Sequence, residues 1–169
     1  GQLVRGASNA AGEIGHIKLQ MKDGLICGCG DTGCLEAYAS GPSIVAMAQD
    51  YIKGGKSTKF REMAAAEGGE ITPYMVAKAA EAGDPVAKRI FAIVGEYIGI
   101  GLTSVINLLN PEKVIIGGGV AEAGDLLLDP IRKTIKERAM VVAGSAVEIV
   151  PAQLGNSAGV IGASMLIDA

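Results

Sequence analysis

Four side chains that could bind a metal ion are gathered in one short segment of the sequence. The single histidine and the three cysteines of the chain all lie within 19 consecutive residues: His16, Cys27, Cys29 and Cys34. Zinc prefers a tetrahedral set of thiolate and imidazole ligands, and structural zinc sites are usually closed by four of them. The count and the clustering of these side chains predict one structural zinc site.

The residues between the cysteines bear on a competing interpretation. Three reduced cysteines could pack as small hydrophobic side chains, with the histidine alone on a strand. The intervening residues are glycine, aspartate and threonine, which offer no apolar core, and Gly28, Gly30 and Gly33 permit the tight turns of a metal loop. An odd number of cysteines without a secretory signal also argues against a disulfide framework.

Composition limits the class of protein. The chain has 169 residues, is 49% hydrophobic and carries a formal net charge of −3, which is typical of one globular domain. Its 15 basic residues are scattered among 18 acidic ones, so we expect no nucleic-acid partner. Glycine, asparagine and charged residues interrupt the apolar stretches, so we expect no membrane span and a cytoplasmic location. Because the chain begins with Gly1, we expect a fragment of a longer protein.

The first two thirds of the sequence carry mainly helix signals. The stretch "HIKLQM" predicts a strand, and a glycine-rich loop follows it. Two short helices are expected between Cys34 and Tyr51, the second capped by Ser40, and two more within residues 58–82. Asp84 then starts a helix of about seven turns that ends at Asn110. Gly95, Gly99 and Gly101 would let neighbouring backbones approach this long apolar helix closely.

The last third alternates between strand and helix signals. The continuous apolar run of "KVIIGG" predicts a strand buried in a parallel sheet, and "VEIVPA" predicts a second one. An amphipathic helix, "DLLLDPIRKTIKERA", lies between them, and a final helix is expected over about residues 157–167, with Gly159 and Gly162 on one closely packed face. This order predicts an α/β layer with crossover connections.

Two glycine-containing segments could suggest phosphate binding. Gly117, Gly118 and Gly119 follow a predicted strand, at the end of the sheet where open α/β folds bind ligands. An ordinary tight turn explains them equally well on sequence alone. The "GGKS" ending at Ser57 lacks the first glycine of a phosphate-binding GxxxxGK[ST] loop and follows a helix, so we interpret it as a solvated turn.

The metal-ligand segment resembles a known family. The ROK family, which comprises repressors, open reading frames and kinases, shows ExGH followed by CxCGxxGCxE, and here these motifs are "EIGH" from Glu13 and "CGCGDTGCLE" from Cys27. The segments "GASNAAGE" and "LGNSAGVIGAS" extend the resemblance over most of the chain. In that family the histidine and the three cysteines hold a structural zinc ion.

The resemblance also implies a fold and a set of ligand contacts. It implies an actin-like, ribonuclease H-like ATPase domain, with residues 1–169 forming the C-terminal domain of a two-domain kinase that carries a zinc-binding loop insertion. It places sugar contacts at Glu13, His16 and Glu36, with Asn9 as a weaker candidate. Gly117, Gly118 and Gly119 would lie against the nucleotide. The family is commonly dimeric, so a homodimer is expected.

The function implied by the resemblance is phosphorylation of a hexose. We expect the C-terminal domain of an ATP-dependent glucokinase that acts on the 6-hydroxyl of glucose, uses Mg²⁺ with ATP and has its general-base aspartate upstream of Gly1. The chain alone is then expected to be inactive. Two alternatives stay open: the sugar-sensing effector domain of a ROK transcriptional repressor, and a zinc-stabilised interaction domain without a sugar site.

Overall fold

The computed structural model describes residues 3–165 of the chain. Within that range it contains eight α-helices and two short β-strands, in this order: α1 (Glu36–Ala39), α2 (Gly41–Lys53), α3 (Lys59–Ala66), α4 (Pro73–Glu81), α5 (Pro85–Leu109), β1 (Lys113–Ile116), α6 (Asp125–Arg138), α7 (Val141–Ala146), β2 (Glu148–Pro151) and α8 (Ala158–Met165). Short 3₁₀ turns lie at Ile14–His16, Gly119–Ala123 and Gly155–Ser157.

The helices begin where the sequence places capping residues. The Ser40 hydroxyl accepts a hydrogen bond from the backbone N–H of Ser43 at the start of α2, and Thr72 caps α4 in the same way. Asp84 caps α5 through the backbone N–H groups of Val86 and Ala87. Such caps satisfy backbone donors that would otherwise lack partners in the first helical turn. The predicted helix starts are therefore confirmed.

Helix α5 forms the centre of the core and packs along α6. A Cβ atom added at Gly95 would lie 2.7 Å from Pro130 Cβ, and one added at Gly99 would lie 2.6 Å from Thr134 Cβ. The backbone of α5 can lie close to α6 at Gly95 and Gly99 because neither residue has a side chain. The prediction that glycines in α5 permit close packing is confirmed, and Gly101 likewise faces Leu35.

Helix α5 is as long and as apolar as a membrane-spanning helix, although glycine, asparagine and charged residues interrupt the apolar stretches of the sequence. Its most apolar 18-residue window has a mean hydropathy of 1.6, so α5 could cross a bilayer by length and composition alone. Glycine interrupts the apolar run without making the helix polar. One such helix is weak evidence for a membrane span, so the expectation of no membrane span is not overturned. The core helices of soluble proteins can be equally long and apolar. The packing of α5 on α6 accounts for the apolar face of α5.

The two strands pair in parallel, as predicted, but they are less buried than predicted. Val114 lies opposite Ile149 in the register, and Lys113 pairs with Glu148 through a 3.0 Å ion pair. Ile149 is buried, whereas Ile115 is 64% exposed. Within the part of the chain that the structure describes, helices cover one face of this two-stranded sheet, so alternate strand residues remain exposed.

Three local expectations differ from the structure. Residues 16–21, "HIKLQM", form an irregular segment with a single bridge, Lys18 to Cys34, instead of a strand, because none of residues 3–165 forms a neighbouring strand that pairs with them along their length. The region after α6 contains the short helix α7, which the sequence did not predict. A Cβ added at Gly159 or Gly162 meets nothing within 4 Å, so these glycines do not pack closely among the described residues. The predicted end of α8 at Ile167 lies outside those residues.

Candidate metal centre and sugar site

The loop that carries the cysteines is anchored to α1 by a tyrosine. The Tyr38 hydroxyl accepts a hydrogen bond from the Leu25 backbone N–H at 2.8 Å and donates to Gln20 Oε1 at 3.0 Å. Gly33 has a φ of 75°, and a Cβ there would overlap the backbone oxygen of Gln20. Only glycine fits this position without displacing the backbone, so the loop shape depends on Gly33.

A tight turn brings the first two cysteines next to each other. The Gly30 backbone N–H donates to the Cys27 oxygen at 3.0 Å, and the Cys27 N–H donates to the Asp31 oxygen at 2.7 Å. Gly30 has a φ of 89°, which favours glycine. The Leu35 N–H donates to Ile17 O at 3.0 Å and holds the third cysteine beside the histidine segment.

The four predicted ligands converge on one point. Their ligand atoms all lie within 4.8 Å of one another; the four residues are His16, Cys27, Cys29 and Cys34. Cys27 Sγ is 3.7 Å from His16 Nδ1, and Cys29 Sγ is 3.8 Å from Cys34 Sγ. Atoms bound at about 2.0–2.3 Å from a tetrahedral zinc lie about 3.5–3.8 Å apart. The spacing of the two measured pairs and the type of all four donors therefore fit a zinc ion.

The loop backbone and the neighbouring thiols shift the thiol pKa values. A backbone hydrogen bond from Cys29 lowers the pKa of the Cys27 thiol, but burial and hydrogen bonds with the Cys29 and Cys34 thiols raise it more, to about 11. The pKa of Cys29 is lowered, first by a backbone hydrogen bond from Asp31 and then by the Cys27 thiol. Metal binding requires thiolates, and backbone hydrogen bonds in this loop favour the thiolate form, an effect that prevails at Cys29, whereas burial and the neighbouring thiols together outweigh it at Cys27.

The imidazole of His16 has different neighbours at its two nitrogens. Nδ1 faces Cys27 Sγ and lies 3.7 Å from Glu36 Oε2, whereas Nε2 lies 3.9 Å from Glu13 Oε2. The Glu13 and Glu36 side chains are 70% and 52% exposed, so both carboxylates can reach a ligand in solvent. The structure thus brings together three of the side chains for which sugar contacts are predicted.

Asn9 is the fourth predicted sugar contact. It lies in an exposed turn that is closed by a hydrogen bond from the Ala11 N–H to the Arg5 oxygen. Its φ of 58° is a backbone conformation that asparagine adopts more readily than most residues. This turn accounts for the asparagine by itself, and a sugar contact at Asn9 stays a prediction.

A lysine that the sequence reasoning missed lies beside the metal ligands. Lys18 Nζ is 3.1 Å from Cys34 Sγ, 3.0 Å from the Thr32 oxygen and 2.6 Å from Asp31 Oδ2. The pKa of Lys18 is raised, mainly by the hydrogen bond with Asp31 and next by the one with Cys34. Its position two residues after His16 was the available signal, but sequence alone did not show which way the side chain points.

The predicted nucleotide loop borders a cavity. Gly117, Gly118 and Gly119 follow β1, and Gly118 has a φ of 90°, which requires glycine-like backbone freedom. Gly119 lines a cavity of about 540 Å³ together with residues of α4 and the following 3₁₀ turn, among them Tyr74, Lys78 and Val120. A backbone turn at the carboxyl end of a parallel strand, open to a cavity, is a favourable place for a ligand.

Several aspartates of the described segment are engaged in structural contacts. Asp84 is 3% exposed and accepts hydrogen bonds from three backbone N–H groups, those of Lys59, Val86 and Ala87. Asp125 and Asp129 both contact Arg132 at 3.1 Å. These contacts give Asp84, Asp125 and Asp129 structural roles.

Sequence comparison identifies the family of this chain. The model of the ROK family matches residues 1–169. A glucokinase from Halalkalibacterium halodurans is 38% identical over 167 residues, covering 99% of this chain and 50% of its own length. A xylose repressor from Caldicellulosiruptor bescii is 32% identical over 166 residues, covering 98% of this chain and 41% of its own length.

Solved structures of the same family share the fold. A ROK family glucokinase from Streptomyces griseus in complex with glucose and AMPPNP has a TM-score of 0.82 at 38% identity, over 98% of this chain and 54% of that one. A ROK family transcriptional regulator, a homologue of the Escherichia coli Mlc protein, has a TM-score of 0.77 at 33% identity, over 88% and 36%.

The fold defined by these neighbours is that of the ROK sugar kinases, an actin-like ATPase fold. The chain belongs to the ROK family. It spans about half the length of the curated glucokinases that it matches. Membership of the family, predicted from the ExGH and cysteine motifs, is confirmed.

Proposed function

We propose that this chain is the C-terminal half of an ATP-dependent hexose kinase, with glucose as the preferred substrate. The observation that carries the proposal is the convergence of Glu13 and Glu36 on His16, with contacts of 3.9 and 3.7 Å and with both carboxylates exposed. Carboxylates accept hydrogen bonds from neighbouring hydroxyl groups, which are the recognisable feature of a hexose. The 38% identity to glucokinases supports the choice of a kinase.

A structural zinc ion is proposed as the support of this sugar site. His16, Cys27, Cys29 and Cys34 would hold it, and it would fix the orientation of the imidazole and of the loop. Because Nδ1 faces Cys27 Sγ, Nε2 is left on the side of Glu13, where it could contact a sugar hydroxyl. The zinc would thus shape the sugar site without entering the reaction.

The zinc proposal has a direct test. The purified protein should contain close to one equivalent of zinc by elemental analysis, and Cys29→Ser should reduce that content substantially. Ser145→Ala, in helix α7 and outside the group of candidate ligands, is a matched control and should leave the zinc content unchanged. An unmutated protein that contains no zinc and takes up none when zinc is supplied would contradict the proposed site.

The proposed nucleotide site is the turn formed by Gly117, Gly118 and Gly119. Its cavity of about 540 Å³ lies in the range of small-molecule binding sites. ATP bound there would carry Mg²⁺, which neutralises charge on the phosphates during transfer. We place the general base outside this chain, since Asp84, Asp125 and Asp129 are held by other contacts.

Calorimetry with glucose, together with a phosphorylation assay of the intact protein, tests the proposed function. We expect saturable glucose binding, ATP-dependent formation of glucose 6-phosphate, and loss of glucose binding in Glu13→Gln with the zinc content unchanged. Glu70→Gln, at an exposed position outside the site, should behave like the unmutated protein. Absence of hexose binding, with Glu13→Gln indistinguishable from the unmutated protein, would favour a zinc-stabilised interaction domain.

A second candidate function is the sugar-sensing effector domain of a repressor. The specific observation in its favour is that repressors of the family match nearly the whole chain, at 32% identity for the Caldicellulosiruptor bescii protein and for the Escherichia coli repressor Mlc. A repressor would bind a sugar at the same residues without phosphorylating it. Sugar-dependent release of DNA by the intact protein, without formation of sugar phosphate, would establish this alternative.

The homodimer is also kept as a proposal. Helix α5 buries nine of its 25 residues in the core, whereas Leu108 and Leu109 at its end are exposed and could contribute to a dimer surface. Light scattering of the purified protein at several concentrations would measure the mass of the particle. A mass equal to one chain throughout would refute the dimer. The cytoplasmic location stays a prediction from the sequence.

A further inference from the structure

Lys18 makes three contacts on the metal-binding loop. Its ammonium group donates to Cys34 Sγ at 3.1 Å and to the Thr32 backbone oxygen at 3.0 Å, and it pairs with the Asp31 carboxylate at 2.6 Å. An ammonium group has three N–H donors, and three acceptors surround this one. The lysine therefore joins one proposed metal ligand to the two residues that precede Gly33.

The backbone determines the position of Lys18. An isolated antiparallel bridge pairs Lys18 with Cys34. Next to it, the Leu35 N–H donates to the backbone oxygen of Ile17, the residue before Lys18. Side chains directly opposite each other in an antiparallel pair lie on the same face, about 5 Å apart at Cβ. The folded backbone thus places the ammonium group beside the sulfur, so the contact does not depend only on the flexibility of the lysine side chain.

The contact between Lys18 and Cys34 would offset negative charge at the proposed zinc site. One zinc ion bound by three thiolates and a neutral imidazole would carry a net charge of −1, and that charge would lie mainly on the sulfur atoms. Cys34 is fully buried, so water cannot solvate its sulfur. A cation that donates to this sulfur neutralises the excess charge, and groups of this kind around metal ligands change metal affinity by about 10–100-fold.

We propose that Lys18 is a positioning residue of the metal centre, which retains zinc by neutralising Cys34 and by holding residues 31–34 in the binding shape. This inference rests on the zinc site of the proposed function. Lys18 itself binds neither the metal nor the sugar. Its contribution is to slow the departure of the ion, while Asp31 holds the ammonium group in place.

The test measures the rate at which zinc leaves the purified protein for an excess of a chromogenic chelator. Lys18→Met keeps the length of the side chain and removes the charge, and we expect it to release zinc about 10-fold faster. Lys18→Arg, which restores a cationic donor, should recover most of the loss. Lys22→Met, which removes an exposed lysine from the same segment, is the matched control and should release zinc at the unmutated rate.

A second variant guards against a general loss of structure. Asp31→Asn keeps an acceptor for the Thr32 N–H but removes the negative charge that pairs with Lys18, so it should accelerate release by a smaller factor. Far-ultraviolet circular dichroism would show whether each zinc-loaded variant is folded. If Lys18→Met unfolds, the test depends on Asp31→Asn alone. Zinc release from Asp31→Asn at the unmutated rate would then overturn the inference.

The outcomes separate this inference from the one on which it rests. If the unmutated protein binds zinc and folded Lys18→Met releases it at the unmutated rate, the role of Lys18 is wrong and the zinc site stands. Equal acceleration by Lys22→Met would also overturn it, since the effect would then belong to general surface charge. If the unmutated protein binds no zinc, both proposals fail.

Discussion

Glu36 offers the sharpest residue-scale test of the sugar site. Its Oε2 atom lies 3.7 Å from both His16 Nδ1 and Cys27 Sγ, so the carboxylate faces the proposed metal ligands as well as solvent. Hydrogen bonds to charged groups contribute about 1.5–3 kcal/mol, and Glu36→Gln retains one acceptor oxygen. We therefore expect about 10-fold weaker glucose binding by calorimetry, with an unchanged zinc content.

A matched control separates the sugar contact from a loss of metal. Glu62→Gln alters an exposed glutamate on α3, outside the loop, and should leave glucose binding unchanged. If Glu36→Gln loses zinc as well as glucose, its carboxylate supports the metal centre instead of contacting the sugar. Unchanged glucose binding would remove Glu36 from the proposed site.

Individual residues were predictable where their chemical type is rare in the chain. The single histidine and three cysteines define the candidate ligand set without knowledge of the fold, and the structure brings their ligand atoms within 4.8 Å of one another. Lys18 was not predictable in this way because lysine is common on protein surfaces. Its role depends on the pairing with Cys34, sixteen residues away.

At the scale of elements, the contact between α5 and α6 depends on Gly99. A Cβ added there would lie 2.6 Å from Thr134 Cβ and 3.1 Å from the Ile131 oxygen, so the helices would have to separate. Overpacking of this kind costs about 1–3 kcal/mol. We expect Gly99→Ala to lower the free energy of unfolding by about 1–2 kcal/mol in urea denaturation, since the gain in helix propensity offsets part of the cost.

Gly159 provides the matched control for that substitution. It also lies in a helix, α8, but a Cβ there meets nothing within 4 Å among the described residues. Gly159→Ala should leave the free energy of unfolding unchanged or raise it slightly. Equal effects of the two substitutions would show that close packing at Gly99 does not hold α5 against α6.

Helices were predicted better than strands, because helix starts depend on residues close together in the sequence, whereas strands depend on distant partners. Ser40, Thr72 and Asp84 cap helices through backbone groups two or three residues away, so the interaction is visible in the local sequence. The segment at residues 16–21 has the composition of a strand, but strand formation also needs a partner along its length. The described structure gives it a single bridge, between Lys18 and Cys34.

At the scale of the whole molecule, the proposed phosphoryl transfer requires a general base that we place outside this chain. It spans about half the length of the glucokinases that it matches, and Asp84, Asp125 and Asp129 are engaged in other contacts. We expect the 169-residue chain, produced by itself, to form no glucose 6-phosphate in a coupled assay with ATP and Mg²⁺. Glucose phosphorylation by this chain would show that its own residues suffice for the reaction.

The nucleotide turn gives a second molecule-scale prediction, made for the intact protein. A Cβ at Gly119 meets nothing within 4 Å, so Gly119→Val should fold normally while its side chain occupies space beside the cavity. We expect the KM for ATP to rise about 10-fold or more, with the KM for glucose nearly unchanged. An unchanged KM for ATP would place the nucleotide elsewhere.

The sequence by itself determined which four side chains could hold a metal, the starts of the capped helices, the parallel pairing of the strands and the family. Each of these depends on residue types or on contacts within a few positions, which the linear order preserves. Only the tertiary structure decided that Glu13 and Glu36 approach His16 at different nitrogens, that Lys18 faces Cys34 and that β1 is exposed on alternate residues. Those features join segments separated along the chain, and packing of the whole fold determines their distances.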